Sequence, residues 1–71
     1  MAEQVRAEMV ANVMEVVTAV GSEVAEGDTI VLLESMKLEM PVLCETSGTV
    51  REVAVAAGDV IQADDLIAVI E

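Results

Sequence analysis

Lys37 is the single lysine of the chain and therefore carries its only side-chain amine. An amine can form an amide with an activated acid, whereas the guanidinium groups of Arg6 and Arg51 cannot. No histidine is present to activate a nucleophile or to bind a metal, and the one cysteine, Cys44, lies in an apolar stretch typical of a buried small side chain. The sequence therefore predicts neither catalytic residues nor a metal site.

The charge of the chain limits its partners. Fourteen acidic and three basic residues give a formal net charge of −11. Such a surface repels phosphate backbones and anionic lipids, so neither nucleic acid nor a membrane is an expected partner. The acidic pairs Glu26/Asp28 and Asp64/Asp65 lack the spacing of a calcium loop and are interpreted as turn residues. We expect a monomer that is attracted to basic protein surfaces.

The composition predicts one small folded domain, residues 1–71. Seventy-one residues are enough for a single domain, and the 55% hydrophobic content argues against disorder. No apolar run approaches the ~20 residues that span a bilayer, and the first residues lack a secretory pattern. The lone cysteine excludes an internal disulfide, which fits a reducing compartment. We therefore expect a cytoplasmic protein.

The sequence consists of two related halves. Shifting it by thirty-seven positions aligns residues 5–34 with 42–71, and the matching pairs include Val5/Val42, Val13/Val50, Glu15/Glu52, Val16/Val53, Gly21/Gly58, Asp28/Asp65 and Glu34/Glu71. A repeat this short cannot bury its own apolar face, so the two copies should pack on each other. Gly21 and Gly58 are predicted at equivalent turns, with positive φ at one or both.

Each half contains the same order of short β-branched segments. The predicted strands are Gln4–Met9, Asn12–Val17, Val24, Thr29–Glu34, Val42–Glu45, Thr49–Val55, Val60–Ile61 and Leu66–Glu71. Val13 and Val16 lie three positions apart, as do Val50 and Val53, which predicts a bulge or a strand crossing in both halves. The predicted fold class is all-β: a flattened antiparallel barrel or sandwich of about eight short strands with an internal pseudo-two-fold repeat.

The midpoint of the repeat departs from the rules for a stable turn. Thr29–Ser35 and Leu38–Leu43 are both strong strand candidates, and only Met36 and Lys37 separate them. Two-residue hairpin turns need positive φ, which costs an ordinary residue roughly 1–2 kcal/mol. Because local rules tend to be broken at functional sites, this turn is the candidate site. Shifting Lys37 by the repeat offset places it just beyond either end of the sequence, so the chain ends are the repeat equivalent of this turn. In a two-fold arrangement the turn and the chain ends should therefore lie at opposite poles.

The segment Glu34-Ser35-Met36-Lys37-Leu38-Glu39 resembles the attachment segment of the biotinyl/lipoyl domain family, whose biotinyl members have Met-Lys-Met or Met-Lys-Leu at a tight hairpin. The resemblance covers essentially the whole chain, because that family is also an internally repeated, flattened eight-stranded barrel with the lysine at its midpoint. Ser35 stands where Ala is common, Leu38 where Met is commoner, and no insertion matches the protruding thumb of some carriers. The resemblance implies covalent biotin on Lys37 and recognition by the ligase of Glu34, Ser35, Met36 and Leu38.

This resemblance also implies the partners. A biotin protein ligase would transfer biotin from its adenylate to the amine of Lys37. A biotin carboxylase would then carboxylate the ureido nitrogen, and a carboxyltransferase would pass the carboxyl group to an acceptor. The chain itself would be a non-catalytic biotin carboxyl carrier that keeps the cofactor at a high effective concentration.

Two other functions stay open. The first is a lipoyl carrier with the same fold, although Met36 favours biotin because lipoyl domains more often have Asp before the lysine. The second is an unmodified interaction or small-ligand-binding barrel, against which the intact Met36-Lys37-Leu38 argues. Lys37 could also be an ordinary solvated lysine, and Met36 could fill the core.

Overall fold

The computed structural model describes residues 2–71, so Met1, the first residue of the predicted domain, lies outside it. Regular structure in this part is entirely β, which confirms the predicted class and the number of strands. The strands are β1 (Glu3–Arg6), β2 (Ala11–Val16), β3 (Glu23–Val24), β4 (Thr29–Ser35), β5 (Leu38–Leu43), β6 (Gly48–Val53), β7 (Val60–Ile61) and β8 (Leu66–Ile70). Over residues 2–71 there is no helix with the length and apolarity needed to cross a bilayer.

The strands form two antiparallel four-stranded sheets that the repeat interchanges. The tip sheet has the order β5-β4-β2-β7, and the opposite sheet has the order β1-β8-β6-β3. Moving each strand by four places in chain order converts one sheet into the other, which confirms the pseudo-two-fold repeat. Each sheet takes two strands from each half, so neither half can complete a sheet alone.

Each half contains one β-bulge at the same place. The register of β2 on β4 shifts between Val13 and Glu15, and that of β6 on β8 shifts between Val50 and Glu52. The bulged residue, which has no partner on the neighbouring strand, is Met14 in the first half and the residue thirty-seven positions later in the second. The bulge lets Val13 and Val50 stay buried although the apolar spacing along each strand is irregular. The predicted irregularity is therefore confirmed as a bulge.

Aliphatic side chains from both sheets form the core. Fully burying one Val or Ile side chain contributes roughly 1.5–3 kcal/mol, and no polar side chain among residues 2–71 is buried. Apolar contacts therefore hold the two sheets together. Cys44 belongs to this core, as predicted, and its thiol donates to the carbonyl oxygen of Ala25 at 3.0 Å. The largest of the fully buried side chains are Val13, Ile30, Val31, Cys44, Val50, Ile67 and Ile70.

The connecting turns repeat in detail. The carboxylate of Asp28 accepts a hydrogen bond from the backbone of Ala25 at 2.9 Å, and that of Asp65 accepts one from Gln62 at 2.8 Å. These bonds confirm the interpretation of the acidic pairs as turn residues. Gly21 and Gly58 both have positive φ, of 93° and 96°, as the repeat predicts.

Two predicted strands are wrong at their ends. Gln4–Met9 ends at Arg6 because Ala7 turns inward and bonds the backbone of Asp64 and Asp65 instead of a neighbouring strand. The prediction Val42–Glu45 is wrong at both ends: β5 already begins at Leu38, and it ends before the equivalent corner residue, whose backbone bonds Gly27 and Asp28. The corners are Ala7 and Cys44, both buried. The other predicted bounds agree to within two residues.

The two ends of the described part of the chain lie at the pole opposite the β4–β5 turn. Glu3 pairs with Ile70, and its carboxylate accepts hydrogen bonds from the backbone of Glu45 and Thr46, just beyond the end of β5. A six-residue strand spans about 20 Å, which separates these residues from the turn. The longest dimension of the molecule is 32 Å. The predicted separation of the turn and the termini is confirmed.

Candidate functional site

Met36 and Lys37 form the two-residue turn between β4 and β5, and both have positive φ, of 53° and 66°. Ser35 and Leu38 form the last strand pair beneath them. Positive φ at both central residues is the signature of a type I′ turn, which is normally built from Asn-Gly or Asp-Gly. The hairpin predicted from the sequence is therefore confirmed, together with its unfavourable backbone.

The strands beneath the turn give it a fixed base. β4 is hydrogen-bonded on one side to β5 and on the other to β2. Its inner side chains, including Val31 and Leu33, are buried in the core, and Met40 of β5 packs against them. Because the central strand is anchored on both edges and on one face, the turn projects from a rigid support.

The side chains at the turn point away from the body. Met36 is 92% exposed and Leu38 is 67% exposed, and Lys37 is exposed as well. No described residue hydrogen-bonds or ion-pairs with the Lys37 amine, whereas Arg51 pairs with Glu71. The interpretation of Met36 as core filling is wrong, because its side chain meets solvent. The amine is free to enter the active site of another protein.

The strand pair below the turn is acidic. Glu34 on β4 lies directly opposite Glu39 on β5, with Glu34 half-buried and Glu39 exposed. Like charges in directly opposed positions destabilise a sheet. Neither carboxylate has an ion-pair partner among residues 2–71. The lysine is therefore presented on a locally acidic hairpin.

The structure brings the predicted site residues together on one hairpin end. Glu34 and Ser35 are the last two residues of β4, and Leu38 is the first of β5. Alternation along the strands places Ser35 and Leu38 on the inner side, beyond the end of the core, and Glu34 on the outer side. Met36 and Lys37 occupy the apex between them.

A groove elsewhere on the molecule is separate from this hairpin end. It has a volume of about 480 Å³, lies between the edge strands β1 and β5, and includes Glu8 and Met9 in its lining. None of the six residues 34–39 lines it. The candidate site is thus an exposed turn and not a cavity.

The sequence interpretation missed the apolar outer face of the tip sheet. Met14 is 42% exposed and Leu43 is 48% exposed, although both belong to strands. Comparing the two halves could have revealed them, because the equivalent positions in the opposite sheet are Arg51 and Arg6.

The turn fits a covalent acyl group better than a metal. The Lys37 amine is exposed and has no intramolecular partner in the described chain, so an amide can form there without breaking a contact. Among residues 2–71, no group of three or more His, Cys, Asp or Glu side chains is arranged to hold a metal ion.

Comparison with known proteins gives the family. The sequence profile of the family described as "Biotin-requiring enzyme" matches residues 3–70. The chain is 66% identical over 71 residues to the "Biotinylated protein TB7.3 homolog" of Mycolicibacterium smegmatis, covering 100% of both chains. It is 61% identical over 70 residues to the protein of the same name from Mycobacterium leprae, covering 99% of each.

A solved structure agrees with this assignment. The chain is similar to part of the urea carboxylase of Kluyveromyces lactis, with a TM-score of 0.93 and 38% identity. The match covers 100% of this chain and 6% of that much longer protein.

The fold and the turn thus define a carrier-type β domain that presents one lysine on a rigid hairpin. The chain belongs to the biotin/lipoyl attachment family, and within it to the biotinyl domains of carboxylase-type proteins. The domain of this family is a non-catalytic carrier module.

Proposed function

We propose that this chain is a biotin carboxyl carrier in which biotin is joined by an amide to Lys37. The observation that supports this most directly is the turn itself. Its two central residues adopt unfavourable positive φ, yet they are Met and Lys instead of Asn and Gly. A turn that sacrifices stability to display the only lysine is best explained by modification of that lysine.

The modification step needs little from the carrier beyond presentation. The neutral amine attacks the acyl carbon of biotinyl adenylate; the new C–N bond forms as the acyl–phosphate bond breaks, AMP leaves, and a base on the biotin protein ligase takes the amine proton. No described residue contacts the Lys37 amine, so the base that deprotonates it belongs to the ligase. Met36 and Leu38 supply apolar contacts, and Glu34 and Ser35 complete the surface that the ligase recognises.

The carrier then works with two further partners, a biotin carboxylase and a carboxyltransferase. Bound biotin supplies a ureido nitrogen that takes up a carboxyl group at the first partner and gives it up at the second. Lys37 and the rigid hairpin hold this group far from the body. The domain thereby converts a diffusing cofactor into a tethered one. We place this non-catalytic domain, residues 1–71, in the cytoplasm.

The alternative functions have less support. Both mycobacterial relatives are named as biotinylated proteins, which favours biotin over lipoate. An unmodified binding barrel gives no reason for the strained Met36-Lys37 pair. Intact mass spectrometry of the chain isolated from its own cells separates the three, since biotin, lipoate and no modification give different masses.

The experiment that tests the proposal is labelling by purified biotin protein ligase with ATP and labelled biotin. Lys37→Arg should abolish labelling while leaving the circular dichroism spectrum unchanged. A matched control combines Lys37→Arg with Arg51→Lys, which restores one lysine on an exposed strand position, since the Arg51 side chain is 67% exposed. Only wild type should be labelled. Residual labelling of Lys37→Arg would refute the site, and equal labelling of the double variant would show that presentation on the turn is unimportant.

A further inference from the structure

The internal repeat provides a built-in comparison between the outer faces of the two sheets. On the tip sheet, four neighbouring outer positions are apolar, and together they form the apolar strip. The residues of the apolar strip are Met14, Leu32, Pro41 and Leu43. The repeat-equivalent positions on the opposite sheet, in the same order, are Arg51, Val69, Gln4 and Arg6. The same backbone therefore supports a polar surface on one side and an apolar surface on the other.

The apolar strip is continuous. Leu32 on β4 pairs with Pro41 on β5, and on its other side it lies beside the bulge that contains Met14. Leu43 follows Pro41 on the same face of β5, because alternate residues of a strand point to the same side. Met14 and Leu43 are 42% and 48% exposed, and Pro41 is exposed as well. Single exposed hydrophobic residues are ordinary, but adjacent ones across three strands indicate a contact surface.

The charges next to the strip lack intramolecular partners. In the opposite sheet, Glu71 forms an ion pair with Arg51. At the equivalent position of the tip sheet, Met14 replaces the arginine, so Glu34 has no such partner among residues 2–71. Glu15 and Glu39 also border the strip, and Glu39 directly opposes Glu34. A partner with basic side chains around an apolar centre would complement this face.

A protein of another kind suits this face better than a second copy of the chain does. Two copies, each with a formal charge of −11, would bring their acidic borders together and repel each other. Among proteins, the one that modifies Lys37 must approach the body most closely. An unmodified lysine has only its four-carbon stem to bridge the gap to an active site. Once biotin is attached, the longer arm lets the body stay further from later partners.

The distances fit such a contact. Leu32 and Pro41 lie three strand pairs below Ser35 and Leu38, which is about 10 Å along the hairpin. An interface of ordinary size covers about 800 Å² on each partner, so one protein can cover both the turn and the strip. We propose that the apolar strip is a docking surface for biotin protein ligase, a role that rests on the proposed modification of Lys37.

The test is a kinetic comparison of variants in the complete chain. The initial rate of labelled-biotin incorporation by purified biotin protein ligase is measured over a range of carrier concentrations. The double variant Met14→Gln with Leu43→Gln should raise the KM for the carrier about tenfold and leave kcat within about twofold, because it weakens docking without moving Lys37. Glu15→Gln should raise KM about threefold at low salt, and this difference should vanish at high salt.

Two controls match these changes. Val20→Gln removes an apolar side chain that is 64% exposed but lies in a turn hydrogen-bonded to β6 of the opposite sheet, and Glu52→Gln removes the repeat equivalent of Glu15. Both should keep the wild-type KM, and matching thermal melting curves check that every variant is folded.

A KM for Met14→Gln with Leu43→Gln equal to that of wild type overturns the docking surface and leaves the modification of Lys37 standing. Equal KM increases in Val20→Gln and the strip variant also overturn it, because they would reflect a general effect of lost apolar surface. A wild-type chain that takes up no label overturns the proposed function itself, and the docking role with it.

Discussion

Replacing Met36 by Asn should stabilise the protein while impairing its modification. Met36 has a φ of 53°, and its side chain is 92% exposed. The substitution therefore removes little packing, but it places at the turn a residue that accepts left-handed backbone.

The size of the effect follows from the turn geometry. Left-handed backbone costs an ordinary residue roughly 1–2 kcal/mol, and Asn relieves part of this cost, so we expect a gain of about 0.5–1 kcal/mol in the free energy of unfolding. For a domain of this size, 1 kcal/mol moves Tm by about 4–8 °C, so the melting temperature should rise by about 2–8 °C. Labelling by the ligase should slow, because an apolar contact next to Lys37 is lost.

Thermal melting and urea unfolding followed by circular dichroism give the stability, and the initial rate of labelled-biotin incorporation gives the function. Leu38→Asn is the matched control, since Leu38 is also exposed, at 67%, but starts a strand. Asn is unfavourable in strands, so this control should gain no stability. A Met36→Asn variant that melts at or below the wild-type temperature would refute the claim that the turn stores strain.

Three further predictions concern the turn and the glycines. Exchanging the apex residues, Met36→Lys with Lys37→Met, points the amine in a different direction. Biotin incorporation by purified ligase should then slow at least about tenfold, which corresponds to ~1.4 kcal/mol of lost transition-state stabilisation. An unchanged rate would mean that the ligase accepts any exposed lysine at this turn. Gly21→Val, at a φ of 93°, should lower the free energy of unfolding in urea by ~1 kcal/mol or more, and wild-type stability would contradict this. Gly48→Ala should lower the free energy of unfolding by about 1–3 kcal/mol in the same assay, because its Cβ would lie 2.8 Å from the backbone oxygen of Glu71. An unchanged free energy of unfolding would show that the backbone at Glu71 shifts to make room.

The repeat made most of the fold predictable from the sequence. Two halves too short to bury their own apolar faces must combine, and the matched spacing of Val13/Val16 and Val50/Val53 located both bulges. The turn at Met36 could be identified because it broke a local rule between two clear strands. Such reasoning works where backbone geometry restricts the choice of residue.

The strand ends and the surface were harder to predict. Ala7 and Cys44 continue the apolar pattern of their strands, but their backbones bond turns of the other half, which only the assembled structure specifies. The exposure of Met14 and Leu43 was also hard to predict, because Met and Leu are residue types that usually lie in the core. Side-chain type does not reveal which face of a sheet is covered when both faces are apolar.

The position of the chain ends determines how far the cofactor can travel from an attachment point. Both ends of the described chain lie beside each other at the pole opposite Lys37, where Glu3 pairs with Ile70. If a linker is fused at that pole, the full 32 Å length of the domain becomes a rigid spacer between pivot and lysine. The rigid spacer increases the distance that Lys37 can reach from the attachment point. It does so without the loss of conformational entropy that an equally long flexible linker would suffer when its end is bound. A longer linker and a longer domain would thus both let biotin reach further from the attachment point. Only the longer linker would lower the effective concentration of biotin.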